Sequence, residues 1–307
     1  VIRGLYTAAS GMLSLQRKQD SLANNLANIN TPGYKQDVGV MRAFPEQLLS
    51  RIRDQEGPDI QGMPQIGGQA VPIGRLHTGV YMSEALPVFR QGDIAETRDP
   101  YDVALMDNIQ PDEEGNERRL FFSVARLADP ATDTAEPEQL RYTRNGNWSV
   151  NADGYLVTPD GYYVLNNENQ AIRVNDPDFP DQSAGHTLEI TANGALFYRN
   201  DAGEQVPLND QSLGIKVLTN PQQMVREGTN VYRYTGEGQP ANVGDDPENT
   251  GFYGVKQGWL ERSNVDPAQT MTDMMTVLRA YEANQRIITT VDGTMEKAAN
   301  EIGRVNG

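Results

Sequence analysis

Apolar side chains return at a seven-residue period at both ends of this chain. From Asp266 onward they fall at Met274, Tyr281, Ile288, Met295 and Ile302, with a second row at Val277, Val291 and Ala298. At the other end Leu5, Met12 and Leu26 alternate with Ala8, Leu15, Leu22 and Ile29. That period belongs to a helix with one apolar seam, so the spacing predicts two long amphipathic helices, one over about residues 2–28 and one from Pro267 to the C-terminus. Each seam has one polar interruption, Gln19 in the first and Asn284 in the second. An isolated helix cannot hide such a stripe from water, and each helix is the other's nearest candidate partner.

The two helices differ in how they begin and end. No capping residue precedes the first, and Gly4 and Gly11 each weaken it by about 1 kcal/mol relative to alanine. It stops where Pro32 pushes Thr31 out of helical geometry, and Pro32-Gly33 suits the centre of a type II turn. The second is well started, with Asp266 as N-cap, Pro267 as first helical residue and Gln269 as partner in a capping box. Gly293 lies inside it at a cost of about 1 kcal/mol, so close packing against another backbone is expected there.

Between the ends the periodicity shortens. From Tyr142 to Leu165 apolar and aromatic runs are punctuated by Asn145-Gly146, Asp153-Gly154 and Asp160-Gly161, turn dipeptides that tolerate positive φ. Short antiparallel strands follow from that spacing. Residues 56–92 are rich in Gly and Pro and predict extended chain with short strands, while 175–181 and 236–249 predict loops. The fold class is therefore α+β: long N- and C-terminal helices paired as a coiled coil, with an inserted, mainly antiparallel β-domain.

The residues where the first helix ends, Leu22 to Lys35, read LANNLANINTPGYK. This stretch resembles the signature of the flagellar axial proteins, the rod and hook–basal-body family, at Asn24, Asn25, Leu26, Ala27, Asn28, Thr31, Pro32, Gly33 and Tyr34. Further stretches resemble the same family. They are Gly92 to Thr97 with the Asp102 to Leu105 strand, Tyr142 to Gly146, Val217 to Thr235, and the lead-in to the second helix through Leu260, Glu261, Ser263, Asn264 and Val265. Where the family places a short turn after the Asp102 strand, this chain inserts a charged segment, residues 107–119, expected to be a surface hairpin or loop. The resemblance extends to rod proteins of the FlgF/FlgG type and to Gram-positive FlhO/FlhP-type paralogues. It implies an axial core of residues 1–35 plus 258–307, a connecting segment of 36–93 and a β-rich globular domain of 94–257.

Charge and composition narrow the function. The formal net charge is −16. Residues 1–35 carry +3 and residues 259–307 carry −2, which leaves −17 in the middle of the chain. Nucleic acid, whose phosphates need a basic face, is excluded as a partner. The opposite signs of the two ends mildly favour their pairing. With no cysteine there is no disulfide, thiol nucleophile or Cys-ligated metal. No apolar run reaches membrane-spanning length, and the N-terminus lacks a secretory apolar core, so no membrane insertion is expected. His77 and His186 have no histidine partner at ligand or catalytic spacing, and Asp176, Asp178 and Asp181 lack the glycine and terminal glutamate of an EF-hand loop. Phosphate-loop and nucleophile-elbow motifs are absent. The expectation is a protein that is not an enzyme, with no cofactor and no metal.

The seam residues Leu5, Ala8, Met12, Leu15, Leu22, Leu26, Ile29, Met274, Val277, Tyr281, Ile288, Val291, Met295 and Ile302 are the expected assembly interface. Two helices alone leave each other's outer sides wet, and neighbouring copies would cover them. The resemblance implies a structural subunit that self-assembles into the axial tube, transmits torque and conducts exported subunits. Its expected partners are other copies of itself, other rod and hook proteins and the flagellar export apparatus. Its expected location is the extracytoplasmic basal body, reached by type III export without a cleaved signal. The competing assignments are a hook or junction subunit of the same family and a secreted acidic β-domain that binds a glycan or cation. A two-carboxylate glycosidase is more distant.

Overall fold

A computed structural model of the chain describes residues 2–45, 47–51, 71–76, 79–112, 114–174, 187–199, 204–236, 238–246, 249 and 251–302. The loop expected at 175–181 with its three aspartates, and both histidines, lie outside the described residues. Two helices close the ends of the described chain, α1 (Ile2–Ala27) and α2 (Pro267–Ile302). Between them the regular structure is strand and single 3-10 turns, so the protein is α+β with many antiparallel strands. No described helix is long and apolar enough to cross a membrane. The chain forms two compact units, residues 1–24, 37–86 and 268–307, and residues 25–36 and 87–267.

In the first unit the polar side of α1 is tied to a strand. Ser14, buried on α1, donates from Oγ to Val80 O at 2.9 Å and to Ser10 O at 2.8 Å, while the Val80 N–H donates to Ser10 Oγ. The strand Val80–Pro87 pairs with Asp37–Ala43, and Gln47–Arg51 runs antiparallel to Val71–Leu76. Gly11 of α1 faces α2, where a Cβ would sit 3.1 Å from Asn284 Nδ2. The polar interruption of one seam thus meets a position with no side chain on the other helix. Gly293 departs from expectation: a Cβ there would meet nothing within 4 Å among the described residues, so none of them packs its backbone against it.

The second unit is built around the strand Arg118–Ala125, whose run Leu120-Phe121-Phe122-Ser123-Val124-Ala125 is buried throughout. Successive side chains of a strand point to opposite faces, so a continuous apolar run needs cover on both. Leu120 and Phe122 enter one core with Leu105, Trp148, Leu156 and Ile215. Phe121 and Ala125 enter a second with Phe89, Tyr142, Leu218 and Tyr232. The strand pairs antiparallel with Ile215–Thr219, Arg141–Thr143 and Tyr163–Val164 inside a nine-stranded sheet.

Three sequence expectations are corrected in this unit. Gly154 and Gly161 take positive φ, 84° and 77°, as their turn dipeptides require, but Gly146 does not. Glycine is needed at 146 because a Cβ there would run into Val103 O, whose own N–H donates to Gly146 O. Residues 236–249 are not all loop: Ala241–Asn242 is a strand on the Ile215–Thr219 edge, followed by a 3-10 turn at Val243–Asp245. The charged insertion 107–119 is not all loop, because Asp107 ends the strand Val103–Asp107 and Arg118 and Arg119 begin the next. A carboxylate is buried at Asp107 because Oδ2 accepts from Arg144 Nη2 at 2.9 Å and from the Leu120 N–H at 3.1 Å.

Candidate functional site

The residues that leave α1 and those that lead into α2 are bound to one another. Thr31 to Tyr34 close a turn through the Tyr34 N–H and Thr31 O, with Gly33 at φ 68°. From that turn the Gly33 N–H donates to Glu261 O at 2.8 Å, and the Asn264 N–H donates to Tyr34 O at 3.4 Å. Asn264 extends the join: its Oδ1 accepts from the Gln36 N–H at 2.7 Å, and its Nδ2 donates to Val88 O and Arg90 O. Asn25, the last buried polar residue of α1, accepts at Oδ1 from the Tyr34 hydroxyl. Arg226 lies 4.6 Å over the Tyr34 ring and donates to Lys35 O, and Asn230 Nδ2 donates to Pro32 O. Thus Asn25, Gly33, Tyr34, Glu261 and Asn264 form one junction.

At the heart of the junction lie four ionised side chains. Lys35 Nζ is 2.5 Å from Glu261 Oε1 and also donates to Arg90 O. Arg144 reaches Asp107 at 2.9 Å and lies 3.6 Å from Glu261 Oε2. All four side chains are at most 1% exposed. Two cations against two carboxylates leave the cluster neutral, as burial demands. Glu261 Oε1 also accepts from the Gly92 N–H at 2.8 Å. A Cβ at Gly92 would run into Arg262 O, which explains the glycine of the Gly92 to Thr97 element.

Burial pushes the Lys35 ammonium down from 10.5 to about 8; Glu261 opposes that, and Arg144 adds to it. For Glu261 burial acts upward, but the Arg144 and Lys35 charges outweigh it and hold the carboxyl below its ordinary range. Between about pH 8 and 10.5 the unfolded chain holds the Lys35 proton more firmly than the folded chain, so this group makes stability rise with pH in that window. Lys35→Met removes the titration. The unfolding free energy of the native protein minus that of the variant is therefore expected to increase from pH 8 to 10.5. A flat difference in denaturant titrations across the window contradicts the assignment.

The remaining site residues fall as follows. Ala8 and Leu22 on α1 and Val277 on α2 are buried, while Leu5, Met12, Leu15, Leu26, Ile29, Met274, Tyr281, Ile288, Val291 and Met295 are half-buried. Ile302 ends α2, and its side chain lies outside the described ones. Of the motif residues, Val265 is buried, Asn28, Thr31, Pro32, Leu260 and Ser263 are half-buried, and Asn24 and Ala27 are exposed. Thr31 donates to the Asn28 side chain at 3.2 Å. Sequence inspection named none of Lys35, Asp107, Arg144, Arg226 and Asn230 as a site residue. It also missed exposed apolar residues on the helices: Tyr6 and Leu13 on α1, and Met271, Met275, Leu278 and Ile287 on α2. The spacing of 271, 275 and 278 on one helical face was the available signal.

Three segments match family models. Residues 5–35 match the model described as flagella basal body rod protein, and 256–301 match the flagellar basal body rod FlgEFG protein C-terminal model. Residues 132–198 match the D1 domain of the flagellar hook protein FlgE/F/G. The chain is 36% identical over 306 residues to the flagellar hook-basal body complex protein FlhO of Bacillus subtilis, covering 99% of this chain and 100% of that protein. It is 35% identical over 301 residues to the flagellar basal-body rod protein FlgG of Agrobacterium fabrum, covering 95% and 96%. With FlgG of Borreliella burgdorferi it shares 30% over 302 residues, 98% of each. Lys35, Arg144 and Glu261 each fall in a different one of the three matched segments, so segments far apart in sequence meet at one buried cluster.

Proposed function

The chain belongs to the flagellar basal-body rod and hook–basal-body protein family, and from that premise we propose that it is a structural subunit of the axial tube, with a mechanical rather than catalytic role. Residues 1–35 and 258–307 form the axial core, 36–93 connect it, and 94–257 form the outer β-domain. The core is an antiparallel coiled coil of α1 and α2 along their heptad seams. The observation that carries this is the register: Gly11, which meets Asn284, lies 16 residues before the end of α1 at Ala27, and Asn284 lies 17 residues after Pro267. Arms of nearly equal length are what two antiparallel helices side by side require. A buried network of ion pairs and hydrogen bonds holds its members in one arrangement, so the junction ties the chain leaving α1 to the chain entering α2 while torque passes through the subunit.

The half-buried seam residues complete their burial against neighbouring copies and against other axial proteins. Delivery by the flagellar export apparatus and an extracytoplasmic position belong to the same proposal. The test is limited proteolysis of purified chain with mass analysis, below and above the concentration at which it polymerises. Dilute protein is expected to be trimmed to roughly residues 40–255, since unpacked ends are cut first, and polymer is expected to resist. If both helices withstand protease at micromolar concentration with no oligomer present, they need no neighbours and the proposal falls.

A further inference from the structure

We infer that copies of this chain contact one another through a second apolar stripe, distinct from the heptad seams, in which Tyr6 and Leu13 of one copy pack on Met271, Met275 and Leu278 of the next. This rests on the assembly reading above and specifies the surface it uses. Tyr6 is 66% exposed, Leu13 55% and Met275 62%, far more than any seam residue. On α1 the positions Tyr6, Ala9 and Leu13 share a face turned away from the buried Ala8 and Leu22, and on α2 Met271, Met275 and Leu278 share a face turned away from Val277. Clustered exposed apolar residues on a water-facing helix mark an interaction surface.

Charge selects the occupant. α1 carries Arg3, Arg17 and Lys18 against Asp20, a net of +2, while α2 carries Asp273, Glu282, Asp292, Glu296 and Glu301 against Arg279, Arg286 and Lys297, a net of −2. Two α1 stripes repel, as do two α2 stripes, and an α1 stripe on a neighbour's α2 stripe is attractive. Exposed Arg17 flanks the first stripe, and Glu282 and Asp273 against Arg279 leave a net of −1 around the second.

The register adds direction. With Gly11 level with Asn284, the centre of the α1 stripe and that of the α2 stripe differ in height by roughly 16 Å along the pair at 1.5 Å per residue. The α1 stripe of one copy therefore meets the α2 stripe of a copy displaced along the axis. A heterologous contact with a displacement repeated in one direction does not close; it climbs.

The chain has no cysteine, so the contact can be read by disulfide trapping in the full-length protein. Leu13→Cys and Met275→Cys variants are mixed in equal amounts under polymerising conditions and oxidised, with helix content checked by circular dichroism. The mixed disulfide is expected to exceed either homodisulfide by about tenfold. Homodisulfides equal to or above the mixed product overturn the head-to-tail contact. Polymer that forms without any disulfide overturns the stripe while leaving the assembly reading in place, and failure of native protein to polymerise at any concentration overturns both.

Discussion

Glu261→Ala is expected to lower the unfolding free energy by about 3–5 kcal/mol, the range for removing one partner of a buried ion pair. The carboxylate faces Lys35 and Arg144, both almost fully buried, and no other carboxylate touches Lys35 at salt-bridge distance among the described residues. Its loss also takes the acceptor from the Gly92 N–H. What the measurement reads is the cost of two buried cations sharing Asp107 alone. Trp148 and Trp259 report on this unit, so denaturant titrations followed by tryptophan fluorescence give the number. Glu96→Ala is the control: its pair with Arg98 is half or more exposed on both sides and should cost about 0–1 kcal/mol. The double variant Lys35→Met/Glu261→Leu removes charge and countercharge together and should recover much of the loss. If Glu261→Ala is as mild as Glu96→Ala, the junction is not held by this cluster.

The seams and the cluster were unequally legible in the sequence, for a physical reason. A heptad repeats within a few turns of one helix, so Leu5 to Ile29 and Met274 to Ile302 declare themselves without knowledge of what they touch. Lys35 and Glu261 are 226 residues apart, and between them Asp107 ends one strand while Arg144 follows another. No local period links them. Each stands beside apolar or aromatic residues, as in Tyr34-Lys35 and Leu260-Glu261, which hints at burial without naming a partner. The second stripe was hidden for another reason: Tyr6, Leu13, Met271, Met275 and Leu278 are fewer and shorter in extent than the seam, and a search for the strongest period passes over them. At Gly146 and Gly293 glycine was read by general rule, and the neighbours that decide its role come from elsewhere in the chain in one case and are absent among the described residues in the other.

Gly33→Ala is expected to destabilise the same unit by at least about 3 kcal/mol, combining left-handed strain with an overlap that cannot relax. The backbone at Gly33 has φ 68°, and an added Cβ would lie 2.5 Å from Arg144 C and 2.6 Å from Asn145 N. Those are backbone atoms of the segment that carries Arg144 into the ion cluster, so moving them also moves its guanidinium off Asp107. Gly161→Ala separates the two contributions. Gly161 has φ 77° but meets nothing within 4 Å among the described residues, so its alanine variant should lose only about 1–2 kcal/mol, the cost of left-handed backbone by itself. The excess at Gly33 measures the close approach of the turn after α1 to the β-domain. The same variant should fail to restore swimming in a strain that lacks this protein, whereas Gly161→Ala should restore it. Equal losses at the two glycines would mean that the turn does not bear on Arg144, and the junction would have to be held by the hydrogen bonds of Asn264 and Asn230 instead.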